Sequence, residues 1–131
     1  MDFKDLLENL NCKDIELTLK RFVGDYDFYI ESVKEFINDV RWMSLDKSIK
    51  AKLVKETFDA AHLLKGVAGN CGLTTIYNLL IQIVEPLRDE AESENGKVVK
   101  NSVDFEKLFL VYEKVLEERI RINDIIGGIE I

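Results

Sequence analysis

The chain has 131 residues, 47% of them hydrophobic and 33% charged, the balance of a single globular domain with a real core. Its formal net charge of −7 opposes contact with phosphate backbones, so no nucleic-acid partner is expected. Apolar runs are only a few residues long and the Met1-Asp2-Phe3-Lys4-Asp5 start lacks the basic and apolar blocks of a signal peptide. The expectation is therefore a cytoplasmic protein with no membrane partner.

The periodicity is helical throughout, with one proline, Pro86, and no linker-like segment. Phe3, Leu6, Leu7 and Leu10 predict a short first helix. Asp14 is a good N-cap for a second, which carries Ile15, Leu17, Leu19 and Phe22 and stops at Gly24. Asp25 then caps a predicted long helix reaching about Lys50, with Tyr26, Ile30, Val33, Ile37 and Val40 as its apolar stripe, Phe36 and Met43 alongside, and Trp42 near its end. The next helix is predicted over residues 52–71 and ends at Gly72 as a C′ residue, after which Thr74 or Thr75 caps another. That helix shows Ile76, Leu80, Ile83 and Leu87, widened by Leu79 and Val84, with Pro86 expected to kink or break it. Glu92-Ser93-Glu94-Asn95-Gly96-Lys97 reads as a loop. The last helix is predicted from about Ser102 to Asn123, with Phe105, Leu108, Phe109, Tyr112, Val115, Leu116 and Ile120 on its apolar side and a loose tail over 124–131. Four long amphipathic helices with short connections predict an all-α, up-down-up-down antiparallel four-helix bundle over 25–123, with the two short helices of residues 1–24 packed across one end.

Cys12 and Cys71 belong to no CxxC pair, and with a single histidine they are too few for a zinc-type site; both read as reduced core residues. The stretch that stands out is Ala61-His62-Leu63-Leu64-Lys65-Gly66-Val67-Ala68-Gly69-Asn70-Cys71-Gly72, which holds the only histidine and three glycines. A glycine inside a helix costs about 1 kcal/mol relative to alanine, so a compensating role is expected.

A lone histidine beside apolar residues is usually a structural one. The helical wheel argues otherwise. With His62 at zero and about 100° per residue, Leu53 and Cys71 fall near 180°, Leu64 near 200° and Ala60 near 160°. The apolar arc then lies opposite the histidine, while Lys55, Asp59, Gly66, Gly69, Phe58 and Lys65 share its side. Gly66, one turn along, leaves room beside the imidazole for a bulky group, and Gly69 extends that clearing. Helix–helix packing does not explain these two glycines if they face away from the core. Lys65 can reach an anion held by the ring. Phe58 on this face reads as an exposed aromatic of a docking surface, with Asp59 and Lys55 as its polar neighbours.

The run His62-x-Leu64-Lys65-Gly66-x-Ala68-Gly69-Asn70-x-Gly72-Leu73 resembles the signature of histidine-containing phosphotransfer (HPt) domains. Leu19-Lys20-Arg21-Phe22-Val23-Gly24-Asp25 is similar to the family's segment before its first bundle helix, and Leu73, Ile76, Leu79, Leu80 and Ile83 follow its spacing in the next. The likeness covers residues 14–122. It implies that His62 accepts a phosphoryl group from an aspartyl phosphate on a response-regulator receiver and passes it to another receiver. Histidine's ordinary pKa of about 6.5 gives a neutral nucleophile with a lone pair near pH 7. Lys65 would offset phosphate charge and Gly66 would give steric access. The resemblance implies no cofactor on this chain, with Mg²⁺ and most of the transition-state electrostatics supplied by the receiver.

The implied partners are receiver domains and a sensor or hybrid histidine kinase, and the implied state is a monomer. There is no glycine-rich ATP lid, so no autokinase activity is expected. The Met1 start and the length favour a free-standing protein. One departure concerns ring orientation: many family members carry a Glu or Gln in the next helix where this chain has Val84. Glu85 and Gln82 are the nearest substitutes, although each points elsewhere on a regular helix; distortion at Pro86 would bring Glu85 round, and otherwise ring orientation relies on water. This departure motivates an alternative, a receiver- or kinase-docking protein without phosphotransfer; a bare structural bundle is a third reading.

Overall fold

A computed structural model describes residues 2–91 and 103–129. All regular structure among them is helical: α1 (Phe3–Asn9), α2 (Ile15–Arg21), α3 (Tyr26–Ile37), α4 (Arg41–Lys50), α5 (Val54–Asn70), α6 (Thr74–Ala91) and α7 (Phe105–Gly127). The predicted loop over 92–97 lies outside the described residues, as does Ser102. No described helix is long and apolar enough to cross a membrane.

Helix starts follow the aspartates. Asp2, Asp14, Asp25 and Asp104 each accept a backbone N–H in the first turn that follows, which satisfies one of a helix's orphan donors. Asp104 sets the start of α7 at Phe105, and that helix runs on to Gly127, past the predicted end at Asn123. Thr74 is already the first residue of α6, and its hydroxyl accepts the Lys13 N–H at 3.0 Å.

The ends of α1, α2, α4 and α5 share one device. At Asn11, Val23, Lys52 and Gly72 the backbone turns to φ between +48° and +68°, and paired backbone hydrogen bonds close over the last turn. At the end of α5 the Gly72 N–H donates to Gly69 and the Leu73 N–H to Ala68. Glycine is favoured there by the backbone and required by the space around it. Its φ is +68°, and a Cβ would lie 2.4 Å from Thr18 Oγ1 and 2.8 Å from Cys12 Sγ.

The predicted helix over 25–50 is two helices. The chain breaks at Asn38-Asp39-Val40, and the break is tied down by side chains. The Trp42 indole N–H donates to the Phe36 carbonyl at 2.8 Å, while Arg119 donates to the Ile37 carbonyl through Nε at 3.0 Å and through its terminal nitrogen. Arg119 also lies over the Trp42 ring at 4.8 Å. These contacts satisfy carbonyls that the end of α3 leaves without helical partners. The change of direction puts Val40 and Met43 in solvent and buries Trp42, so the stripe read through to Met43 ends at Ile37. On α7, Ile120 is likewise exposed and Ile122 and Ile126 are buried instead.

The core joins all seven helices. Leu6, Leu7 and Leu10 of the α1 region, Ile30 and Val33 of α3, Leu45 and Ile49 of α4, Leu64 and Ala68 of α5, Ile76, Leu80 and Ile83 of α6, and Val115 of α7 are at most 1% exposed. Both cysteines are free and buried. One end of the molecule is covered by α1 and α2: Phe3 packs on Tyr26 and Tyr29 at the start of α3, Arg21 reaches the end of α5, Lys13 the start of α6, and Asn9 accepts from Arg121 late in α7.

Candidate functional site

Helix α5 packs against α4 on one side and α6 on the other, and this sets which side chains it buries. Thr57, Phe58, Ala60, Ala61, Leu64 and Ala68 are buried. On the wheel these positions span about 160° to 320°, so the buried arc is turned toward α6 rather than lying opposite His62. His62, Leu63, Gly66 and Asn70 are exposed, and Lys65 is half-buried. His62 therefore sits at the seam of α5 and α6, on the rim of the exposed face.

This rotation corrects two sequence readings. Phe58 is not an exposed docking residue: it is 8% exposed, fixed between α5 and α6. Its ring stacks on the His62 ring with centroids 5.4 Å apart and an interplanar angle of 8°. Gly69 lines the same groove as Gly66 but is closed on one side by α6. A Cβ there would lie 3.0 Å from Tyr77 Cε1, so its missing side chain lets Tyr77 of α6 approach, which is the packing role the wheel had argued against. Gly66 keeps its predicted place, since a Cβ would meet nothing within 4 Å. Lys55 and Asp59 are exposed and paired with each other at 3.6 Å, an (i, i+4) contact worth a few tenths of a kcal/mol.

The second helix supplies residues of uneven relevance. Val84 is fully buried, so the position where a ring-orienting Glu or Gln would stand belongs to the core. Gln82 lines a groove of about 490 Å³ with Asp104, Lys107 and Leu108, on the side of α6 that faces α7. It is not brought to His62. Glu85 is exposed and pairs with Arg88 at 3.1 Å. That hydrogen bond holds the Glu85 carboxyl below the usual carboxylate range, with smaller pulls from the charges of Arg88, Lys65 and His62. Glu85 thus lies in the field of both predicted site residues, although no hydrogen bond to the imidazole is present among the described residues. The helix continues unbroken through Pro86, whose ring removes the N–H that Gln82 would otherwise accept.

Three residues of the site region escape the sequence reading. Arg88 places its guanidinium 5.6 Å from the Phe58 ring centroid, on the residue that stacks against His62. Tyr77 fills the space left by Gly69. Arg21 donates to the Gly69 and Asn70 carbonyls at 3.1 and 3.2 Å, complementing the negative end of α5. Only Arg88 carries a sequence signal, its (i, i+3) spacing from Glu85. A groove of about 740 Å³ runs from Lys65 and Gly66 past Tyr77 to Arg21 and Lys13. Among the described residues no group of three or more histidine, cysteine, aspartate or glutamate side chains is placed to hold a metal ion.

The arrangement offers an accessible imidazole with one face covered, an ammonium on the same helix, and open space one turn along. No protein-family model matches the chain, and no curated protein and no solved structure matches it.

Proposed function

We propose that this chain is a phosphorelay module of the HPt kind, a phosphohistidine carrier between receiver domains, folded as an up-down four-helix bundle in which α3 and α4 together form one member. The meeting of the starts of α3 and α6 with the ends of α5 and α7 under α1 and α2 supports that arrangement. The observation that carries the function is the pairing of an exposed His62 with open space at Gly66.

A ring nitrogen of the neutral imidazole attacks the phosphorus of an aspartyl phosphate. The N–P bond forms as the acyl P–O bond breaks, and the carboxylate leaves with that electron pair. The reverse sequence on a second receiver discharges the carrier. The receiver brings Mg²⁺ and the electrostatics of the transition state. This chain contributes a positioned nucleophile, the Lys65 ammonium to offset the dianion, and the Gly66 gap that admits the receiver's active-site loops. It functions as a cytoplasmic monomer, phosphorylated by way of a sensor or hybrid kinase, with no ATP site of its own.

The test is to incubate the protein with a phosphorylated receiver and follow the label. Acid-labile label on wild type and none on His62→Gln is expected. Wild type that binds the receiver but takes no label would establish the docking-only reading instead. Label surviving on His62→Gln would move the site elsewhere.

A further inference from the structure

We propose that Phe58 is the positioning residue for His62, fixing the plane of the imidazole by offset parallel stacking in place of a hydrogen bond to one ring nitrogen. The inference rests on the phosphoryl-carrier reading for its consequence, but its geometry stands independently. The two rings are 8° from parallel with centroids 5.4 Å apart, an offset stack. An imidazole's lone pair and N–H lie in the ring plane, so a contact on the face occupies neither nitrogen. The ring is held and both edges stay available.

The platform is itself rigid. Phe58 is 8% exposed and sits one turn before His62 on the same helix, so neighbouring side chains fix its orientation. Arg88 lies over the same ring, and Glu85 holds the Arg88 guanidinium through two hydrogen bonds, at 3.4 Å and 3.1 Å. Glu85 therefore acts on the histidine through Arg88 and Phe58, not by accepting its N–H. Val84 is in the core, and among the described residues no hydrogen bond joins the imidazole to Gln82.

Side-chain NMR on wild type, Phe58→Leu and Phe58→Tyr decides the question, with phosphoryl acceptance measured on the same samples. In wild type the His62 ring protons are expected upfield from the Phe58 ring current, with couplings of a single χ1 rotamer. Phe58→Leu is expected to average those couplings and to slow phosphoryl acceptance about tenfold, as for a nucleophile no longer held near its attack geometry. Phe58→Tyr, which keeps the ring, is expected to restore both.

Unshifted wild-type ring protons would overturn the stack without any mutant, so a poorly folded Phe58→Leu does not shelter the idea. A single His62 rotamer and an unchanged rate in folded Phe58→Leu would overturn the positioning role. Wild type that shows the stack but accepts no phosphoryl group would sink the carrier reading and leave the stack standing.

Discussion

Gly66 and Gly69 stand one turn apart on α5 and meet opposite surroundings. A methyl group at Gly66 enters open space, whereas one at Gly69 lies 3.0 Å from the Tyr77 ring. Gly66 is thus a helix-interior glycine whose cost of about 1 kcal/mol has no packing benefit to offset it, and close approach of a receiver, as proposed above, would supply a reason for it. Gly66→Ala is expected to raise stability by about 1 kcal/mol, seen as a melting-temperature increase of about 4 °C. Gly66→Gln is expected to keep the fold and block phosphoryl acceptance. Equal transfer rates in Gly66→Gln and wild type would show that the gap serves nothing. Thr57 is a second residue out of balance with its environment: its hydroxyl is fully buried with no partner among the described residues. Thr57→Val removes that group at similar shape and is expected to stabilise by about 1 kcal/mol in urea titrations. A loss instead would point to a partner for the hydroxyl.

Helix type and order were legible because capping aspartates and 3.6-residue spacing are local properties. Asp14, Asp25 and Gly72 act where the sequence places them. What was not legible depends on neighbours in space. The wheel of α5 assumes one buried face, but α4 and α6 press on it from two sides, which rotates the buried arc and takes in Phe58 and Gly69. The break between α3 and α4 depends on Trp42 and on Arg119, which is distant in sequence, so a continuous apolar stripe was read across it. Val23 is the clearest local conflict. It adopts φ +48° at the end of α2 although β-branched residues avoid that region, and its side chain is 82% exposed, so packing does not explain the choice. Val23→Gly is expected to stabilise by about 1 kcal/mol by relieving that conformation. An unchanged or lower denaturant midpoint would show that the strain is absorbed elsewhere.

At the scale of the whole molecule, the end covered by α1 and α2 is a polar layer inside the core. Cys12 Sγ lies 3.4 Å from the Thr18 hydroxyl, and the Tyr29 hydroxyl donates to the Cys71 carbonyl at 2.7 Å, joining α3 to the end of α5. Burial pushes the Cys71 thiol from its ordinary 9.0 up to about 12, opposed by Arg21 and reinforced by Glu35. Burial likewise raises the Tyr29 hydroxyl, and burial together with the Asp46 hydrogen bond raises Tyr112. A group whose pKa is raised by folding binds its proton more tightly in the native state. Its contribution is intact below the unfolded value and is lost as pH rises toward the folded one. Stability should therefore hold to about pH 9 and fall above it, first through Cys71 and then, beyond the ordinary tyrosine value of 10.0, through Tyr29 and Tyr112 as well. Asp46 has the opposite sign. Its carboxyl is lowered by the Tyr112 hydrogen bond and then by Lys50, so its contribution is present above the ordinary 3.8 and is lost on acidification through the folded value. At pH 10.5 the Cys71 share amounts to about 2 kcal/mol. Comparing urea midpoints at pH 8 and pH 10.5, under reducing conditions, should show wild type losing about 2 kcal/mol more than Cys71→Ala. The comparison is between pH values within each protein, so the cavity cost of removing the thiol cancels. Parallel losses in the two proteins would mean that Cys71 ionises as readily in the folded chain as in the unfolded one, the end layer having opened to solvent before the thiol titrates, and the alkaline limit would then belong to the tyrosines alone.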